Sequence, residues 1–339
     1  VGDTHLGVKN GSPLYHKVTE DLFDQIIEFS KQKSIRSLIH LGDFFDNRKT
    51  ITIKTILSAL HIMNKINDVF DAYFIVGNHD TINKDSIDES LLSMFRKFEN
   101  MTIIDRPLKL PNILMVPWLF DTSVLKNTDN SKILLGHFEM NGVMMNESGS
   151  VMESAHLNRG DFKNFELVLS GHFHTPSIYG NIRYLGSPFH TSFNDVAGKR
   201  GFYVLDDETC ELTFIEYDKY PKYIRIKDTD NPEDVAGSVP NNIVELIFTK
   251  DHGITGNLEI VERVKSWSPL TLIPKYVNIN GSMSKDSMIK EDIEIKDHLG
   301  ILHEYHDQNE LPGHINPIML NKIVESIYKE TLDGQKNQM

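Results

Sequence analysis

Two kinds of apolar pattern alternate along the chain. Residues 17–33 set Val18, Leu22, Ile26, Ile27 and Phe29 at a helical period, and residues 52–67 repeat it through Ile53, Ile56, Leu57, Leu60, Met63 and Ile66. Short apolar runs at 35–41 and 72–76 read as strands, and residues 88–98 return to the helical pattern. Strand, loop and helix in alternation predict an α/β domain. From residue 112 short strands dominate, at 112–118, 132–135, 166–170, 182–185, 201–205 and 212–217, enough for two packed sheets. After Pro221 a smaller unit follows: strand 223–227, strand 243–248, helix 256–267 and strand 270–279. The polar stretch 281–292 reads as a linker, and 293–306 and 317–332 as helices, with Pro317 in a first turn. The last helix carries an apolar stripe, Leu320, Ile323, Val324, Ile327, Tyr328 and Leu332. The expected division is 1–217, 218–280 and 281–339.

Composition narrows the classes. At 339 residues the chain exceeds what one core usually supports, so one large domain with additions is expected. No apolar run approaches 18 residues, which argues against a membrane helix. The single cysteine, Cys210, excludes an intrachain disulfide or a Cys-based zinc cluster and fits a reducing, cytoplasmic setting. The chain starts Val1-Gly2-Asp3 without a signal-peptide pattern. That start reads as the loop after a strand lying mostly upstream, as if a few N-terminal residues were missing. The net charge of −13 argues against tight, free-standing nucleic-acid binding.

The 15 histidines change the picture, because many fall in five loop motifs after predicted strands. These are Asp3-x-His5, Gly42-Asp43-x-x-Asp46, Gly77-Asn78-His79-Asp80, Gly136-His137 and Gly171-His172-x-His174. Singly each reads as a turn or a polar loop. Together, each with a glycine before its first ligand (Gly2 for the first), they read as carboxylate, imidazole and amide ligands of two metal ions. Such a mixed set suits Mn²⁺ or Fe²⁺ better than Mg²⁺. A bridged ion pair activates water and clamps a phosphate ester for in-line attack.

This motif set resembles the calcineurin-like metallophosphoesterase superfamily. Within it, the chain resembles the DNA-repair nuclease branch of SbcD and the meiotic-recombination nuclease, and especially the T-even phage recombination endonuclease subunits. The narrowing residues are Asp3-Thr4-His5-Leu6-Gly7, Gly42-Asp43-Phe44-Phe45-Asp46 and the run Arg183-Tyr184-Leu185-Gly186-Ser187-Pro188 followed by Ser192-Phe193. The resemblance implies a four-layer α-β-β-α sandwich, a small α/β capping domain that guides DNA, and a helical tail. It implies that Asp3, His5 and His174 hold one metal, that Asn78, His137 and His172 hold the other, and that Asp43 bridges them. His79 would assist the leaving oxygen, Asp80 would orient His79, and Asp46 would face the phosphate. Arg48, Lys49 and Lys54, and then Lys199 and Arg200, are candidate phosphate contacts. Phe44, Phe45 and Phe189 are candidates for touching sugar or base.

The implied activity is a Mn²⁺-dependent DNA nuclease, 3′-to-5′ on duplex ends and endonucleolytic on single strands or hairpins, in an SbcCD-type complex. An SMC-like ATPase subunit would bind the tail, and the nuclease would form a homodimer. A phosphatase or cyclic-nucleotide phosphodiesterase, and a non-catalytic scaffold, are the alternatives. From Lys285 onward the tail holds 6 Lys/Arg against 11 Asp/Glu, so much of the acidity lies away from the motifs. DNA binding is then expected to be weak alone and supplied largely by the partner.

Overall fold

The computed structural model describes residues 1–277 except 84–85, 88, 127–130, 145–150, 197 and 251. The expected linker at 281–292 and the two expected tail helices, 293–306 and 317–332, lie outside the described residues. The chain divides into two compact units, Val1–Ile224 and Arg225–Met339.

In the first unit, helix α1 (Pro13–Lys33) begins on a proline, whose missing N–H costs nothing in a first turn. It buries Tyr15, Val18, Leu22, Phe23, Ile26 and Ile27. Helix α2 (Ile53–Asn67) is capped by Thr52, whose hydroxyl accepts the Thr55 N–H at 3.1 Å. Its buried face is Thr55, Ser58, Ala59, Ile62, Met63 and Ile66. Ile53 and Leu57, counted in the apolar stripe, instead face solvent at 75% and 59% exposure.

Strands β1 (Ser37–His40), β2 (Asp71–Ile75) and β3 (Met101–Ile104) form a parallel sheet in that order. The first residues run beside β1 and its following loop. Leu41 N–H donates to Val1 O, Asp3 N–H to Gly42 O, and His5 N–H to Asp43 O. The helix expected at 88–98 is only a 3-10 turn, Leu91–Phe95. Strand β3 was not expected from the apolar pattern.

The second sheet contains β4 (Leu108–Lys109), β5 (Ile113–Met115), β6 (Ile133–His137), β7 (Leu167–Gly171), β8 (Ser177–Tyr179) and β9 (Ile182–Tyr184). Their order is β4-β5-β6-β7-β9-β8, parallel in the centre and antiparallel at both edges. Period-2 alternation sorts its side chains. Ile113, Met115, Ile133, Leu135, Leu167 and Leu169 meet Leu41, Ile75 and Ile104 of the first sheet. Leu114, Leu134, Val168 and Ile182 point outward onto Phe138, Phe162 and Phe165, under loops and the 3-10 turns Thr122–Leu125 and Arg159–Phe162. A hairpin, β10 (Gly201–Leu205) with β11 (Leu212–Glu216), adds Tyr203, Leu205 and Leu212 to the inter-sheet core. Four of the motifs sit at the carboxyl ends of β1, β2, β6 and β7 or in the loops just after them, where open α/β sheets place ligands, and the Asp3-x-His5 segment runs beside them.

Strand β12 (Tyr223–Lys227) crosses the unit boundary. It joins β13 (Ile243–Phe248) and β14 (Thr271–Tyr276) in a three-stranded sheet, with helix α3 (Gly253–Ser266) connecting the parallel pair β13–β14. Val244, Leu246 and Phe248 form one buried face of this sheet, and Phe248 stacks on Tyr276 at 4.8 Å. Among the described residues no helix is long and apolar enough to cross a membrane.

Candidate metal centre

The five motifs converge into one site. Asp3, His5 and His174 form one cluster with ligand atoms within 4.8 Å of one another, and Asp43, His137 and His172 form a second. Oδ2 of Asp43 lies 3.7 Å from His5 Nε2 and 3.3 Å from His137 Nε2, so one carboxylate oxygen faces both clusters. Asn78 completes the second, its Oδ1 lying 2.9 Å from His137 Nε2 and 3.0 Å from His172 Nδ1. All seven residues expected as ligands are therefore brought together.

The backbone holds them against its own preference. Asp3 (φ 53°), His5 (φ 44°), Asp43 (φ 55°) and His172 (φ 88°) occupy the left-handed region, which costs non-glycine residues about 1–3 kcal/mol each. The preceding glycines answer crowding more than turning. Of those that open the motifs only Gly42 has positive φ (93°), and a Cβ there would sit 2.5 Å from His137 Nδ1. A Cβ on Gly77 would collide with the amide and Oδ1 of Asp43, and one on Gly171 would lie 2.8 Å from Asp3 Oδ2.

Two candidate imidazole ligands, His137 and His174, are hydrogen-bonded on the far side, and the other two, His5 and His172, face a carboxylate there. His137 Nδ1–H donates to Leu41 O at 2.8 Å, and His174 Nδ1 lies 3.3 Å from Asp195 Oδ1. His5 Nδ1 lies 3.4 Å from Asp46 Oδ1, and His172 Nε2 lies 3.6 Å from Glu139 Oε1. Fixing the outer nitrogen turns the inner one inward, the arrangement seen around metal-binding histidines.

The site asks for positive charge. Asp3 Oδ1 accepts the His172 N–H at 2.8 Å, while Asp3 Oδ2 is buried with no hydrogen-bond partner. His5 Nε2 and His174 Nε2 face each other at 3.0 Å, two ring nitrogens aimed at one point. Burial lowers the pKa of His5 and His137, but Asp46, Asp43 and Asp3 at the first, and Asp43 and Asp3 at the second, outweigh it and raise both to about 9. Burial pushes the Asp43 carboxyl up, yet His137, His5 and His79 pull it well below the usual carboxylate range. A buried oxygen without a donor, converging nitrogen and oxygen atoms, and clustered carboxylates fit divalent cations. The thiolate-free set suits borderline ions.

His79 stands beside the first cluster, its ring 4.9 Å from His5, and burial lowers its pKa. Its Nδ1–H donates to the Asp46 carbonyl at 2.5 Å, and its N–H to Asp43 Oδ1 at 2.7 Å. This corrects the role expected for Asp80. Both Asp80 oxygens accept main-chain N–H groups, from Asp43 and Gly77 at 2.9 Å and from Phe45 at 3.0 Å. Burial and the charge of Asp43 push its carboxyl up to about 7. Asp80 therefore ties the Asp43 loop to the Gly77 loop, and a carbonyl orients His79.

The basic candidates separate. Arg48 lies close enough to lower the His79 pKa, and its buried Nε has no hydrogen-bond partner. Lys49 is exposed on the loop after Asp46. Lys54 lines an open cleft between α1 and α2 with His16, Lys17 and His61, away from the clusters. Lys199 pairs with Glu216 at 2.5 Å. Arg200 is 1% exposed and donates to the carbonyls of His174 and Asp195, so it is part of the interior. Phe44, Phe45 and Phe189 are fully buried, so none is placed to stack on a substrate.

Comparison with known proteins agrees with this geometry. The family model described as calcineurin-like phosphoesterase matches residues 1–176. Exonuclease subunit 1 of Enterobacteria phage T4 is 33% identical over 226 residues, 63% of this chain and 66% of its own length. The DNA double-strand break repair protein Mre11 of Saccharolobus solfataricus is 26% identical over 52% of this chain and 48% of its own length. An SbcCD nuclease subunit of Staphylococcus epidermidis is 29% identical over 36% of this chain and 33% of its own length. The chain thus spans less than two thirds of each of these relatives. With more than half of its residues matched by the family model and the ligand-bearing loops converging as described, the chain belongs to the calcineurin-like phosphoesterase family.

Proposed function

We propose that this protein is a DNA nuclease subunit that hydrolyses phosphodiesters with two divalent ions, Mn²⁺ being the expected pair. The carrying observation is the Asp43 carboxylate facing two His-containing clusters, with His79 beside them. Asp3, His5 and His174 would hold one ion and Asn78, His137 and His172 the other. When bound, the ions supply the charge that neutralises a phosphodiester and acidifies water. The chain's own residues do the rest. With Nδ1–H committed to the Asp46 carbonyl, His79 keeps Nε2 to carry a proton to the leaving oxygen. Arg48 presents a guanidinium to the phosphate, with Asp46 and Lys49 on the same loop.

The names of the relatives favour DNA over small phosphate esters. By that likeness the expected activities are 3′-to-5′ exonuclease on duplex ends and endonuclease on single strands or hairpins. The likeness to an SbcCD subunit further supports assembly with an SMC-like ATPase through the 281–339 tail. Residues 218–280 would guide DNA, and the exposed Leu14, Ile53, Leu57 and Leu60 on α1 and α2 would support a homodimer.

The test is a substrate panel with Mn²⁺: linear duplex, hairpin and single-stranded DNA, p-nitrophenyl phosphates and cyclic nucleotides. DNA cleavage that falls about 10²–10⁴-fold in His79→Ala, with metal binding retained, is the expected result. Turnover of the small esters alone would overturn the nuclease reading.

A further inference from the structure

We infer that Asp195 is a positioning residue for the first metal site, acting through His174, from a segment that lies beyond the 176 residues matched by the family model. Its Oδ1 faces His174 Nδ1 at 3.3 Å, while His174 Nε2 points at His5 Nε2, 3.0 Å away. The imidazole therefore stands between a carboxylate and the metal position. A carboxylate there selects the Nδ1–H tautomer and leaves the Nε2 lone pair for a cation.

The carboxylate is itself built in. It is 1% exposed, and its Oδ2 accepts Thr191 N–H and Oγ1–H at 2.8 Å and Ser192 N–H at 2.9 Å. That oxygen is saturated, so Oδ1 is the one turned to His174. Arg200 closes the frame from behind. Its guanidinium donates to the carbonyls of both His174 and Asp195, and reaches Ser187 Oγ at 3.3 Å. The segment from Ser187 to Arg200 thus grips the ligand at its ring and at its main chain. The second cluster is built differently: His137 is held by the Leu41 carbonyl, and the carboxylate facing His172, Glu139, is partly exposed and 3.6 Å away. The two sites should then respond differently to a change at 195.

This inference rests on the two-metal reading above. The experiment is Mn²⁺ titration calorimetry on the full chain and on Asp195→Asn, with ¹⁵N-histidine NMR of the wild-type chain before metal is added. One of two binding events is expected to weaken about 10–100-fold in Asp195→Asn while the other stays within twofold. His174 in the wild type is expected as the Nδ1–H tautomer, identified by the signal lost in His174→Gln. Equal binding of both ions by the folded variant overturns the role of Asp195. So does an Nε2–H tautomer in the wild type, a measurement that stands even if the variant fails to fold. A wild type that binds fewer than two ions overturns the two-metal reading instead.

Discussion

The candidate metal clusters of the first unit and the second unit treat buried carboxylates in opposite ways. In the second unit, Asp228 and Glu245 are fully answered by the protein. Asp228 accepts from Thr249 N–H (2.9 Å) and Oγ1–H (2.6 Å), Lys250 N–H (3.1 Å) and His252 Nε2–H (2.7 Å). Glu245 lies between Arg225 (2.9 Å) and Lys275 (3.3 Å). In the candidate metal clusters, Asp3 keeps a buried oxygen with no donor, and Asp43 Oδ2 faces two imidazoles at 3.3 and 3.7 Å. A buried charge satisfied by protein groups is complete and costly to unpair, whereas one left unsatisfied needs a ligand to complete it.

The contrast breaks most visibly at Asp3. Asp3→Asn keeps an acceptor for the His172 N–H but removes the charge, so cleavage of DNA with Mn²⁺ should fall about 10³-fold or more, since bound metals supply several kcal/mol of transition-state stabilisation. Without added metal its melting temperature should be no lower than that of the wild type. Calorimetry beside single-turnover kinetics checks both, and a strongly destabilised variant with normal cleavage would reverse the comparison. Asp228→Ala should do the opposite. It strands donors in the second unit, so urea unfolding should show a loss of about 1–3 kcal/mol, with Mn²⁺ affinity unchanged.

A smaller effect tests the rule from inside the first unit. His190 is buried outside the metal clusters, with Nδ1 accepting the Tyr223 N–H at 3.2 Å and Nε2 without a partner. Burial, reinforced by the charge of Arg200, lowers its pKa to about 4. Below the ordinary value of about 6.5 the unfolded chain takes up a proton that the folded chain refuses until about pH 4. Stability should therefore fall as pH drops from about 6.5 to about 4, and His190→Gln should flatten that part of the profile. An unchanged slope would mean that other groups set stability in this range.

The site was legible in the sequence to the extent that its chemistry is local. Asp43, Asn78, His137 and His172 announce themselves because each directly follows a glycine at the carboxyl end of a strand, and Asp3 because it follows Gly2 and precedes His5 by two. Asp195 does not. It lies 21 residues past His174 at the end of a short 3-10 turn, Phe193–Asp195, and its partnership exists only after the chain folds back. Lys199-Arg200 reads as a basic surface pair, yet Arg200 turns inward because two carbonyls and Ser187 satisfy its guanidinium. Asp80 reads as a neighbour of His79 by adjacency, but successive side chains diverge, and it serves the main chain instead. In α2 the helical period holds but half the apolar stripe is on the outside, since Ile53 and Leu57 stand nearly half a turn from the buried row.

The contact that orients His79 is made by the carbonyl of Asp46, an atom every residue type possesses. Replacing the Asp46 side chain leaves that atom in the chain, and no alphabet of substitutions at position 46 encodes it. The information resides in whatever bends the loop. Asp46 N–H is pinned to Leu6 O at 3.1 Å, and Asn47 Oδ1 gathers the N–H groups of Lys49 and Thr50 at 2.9 and 3.2 Å. Asn47, which touches neither cluster in the bonds described, thus helps set where the His79 ring points.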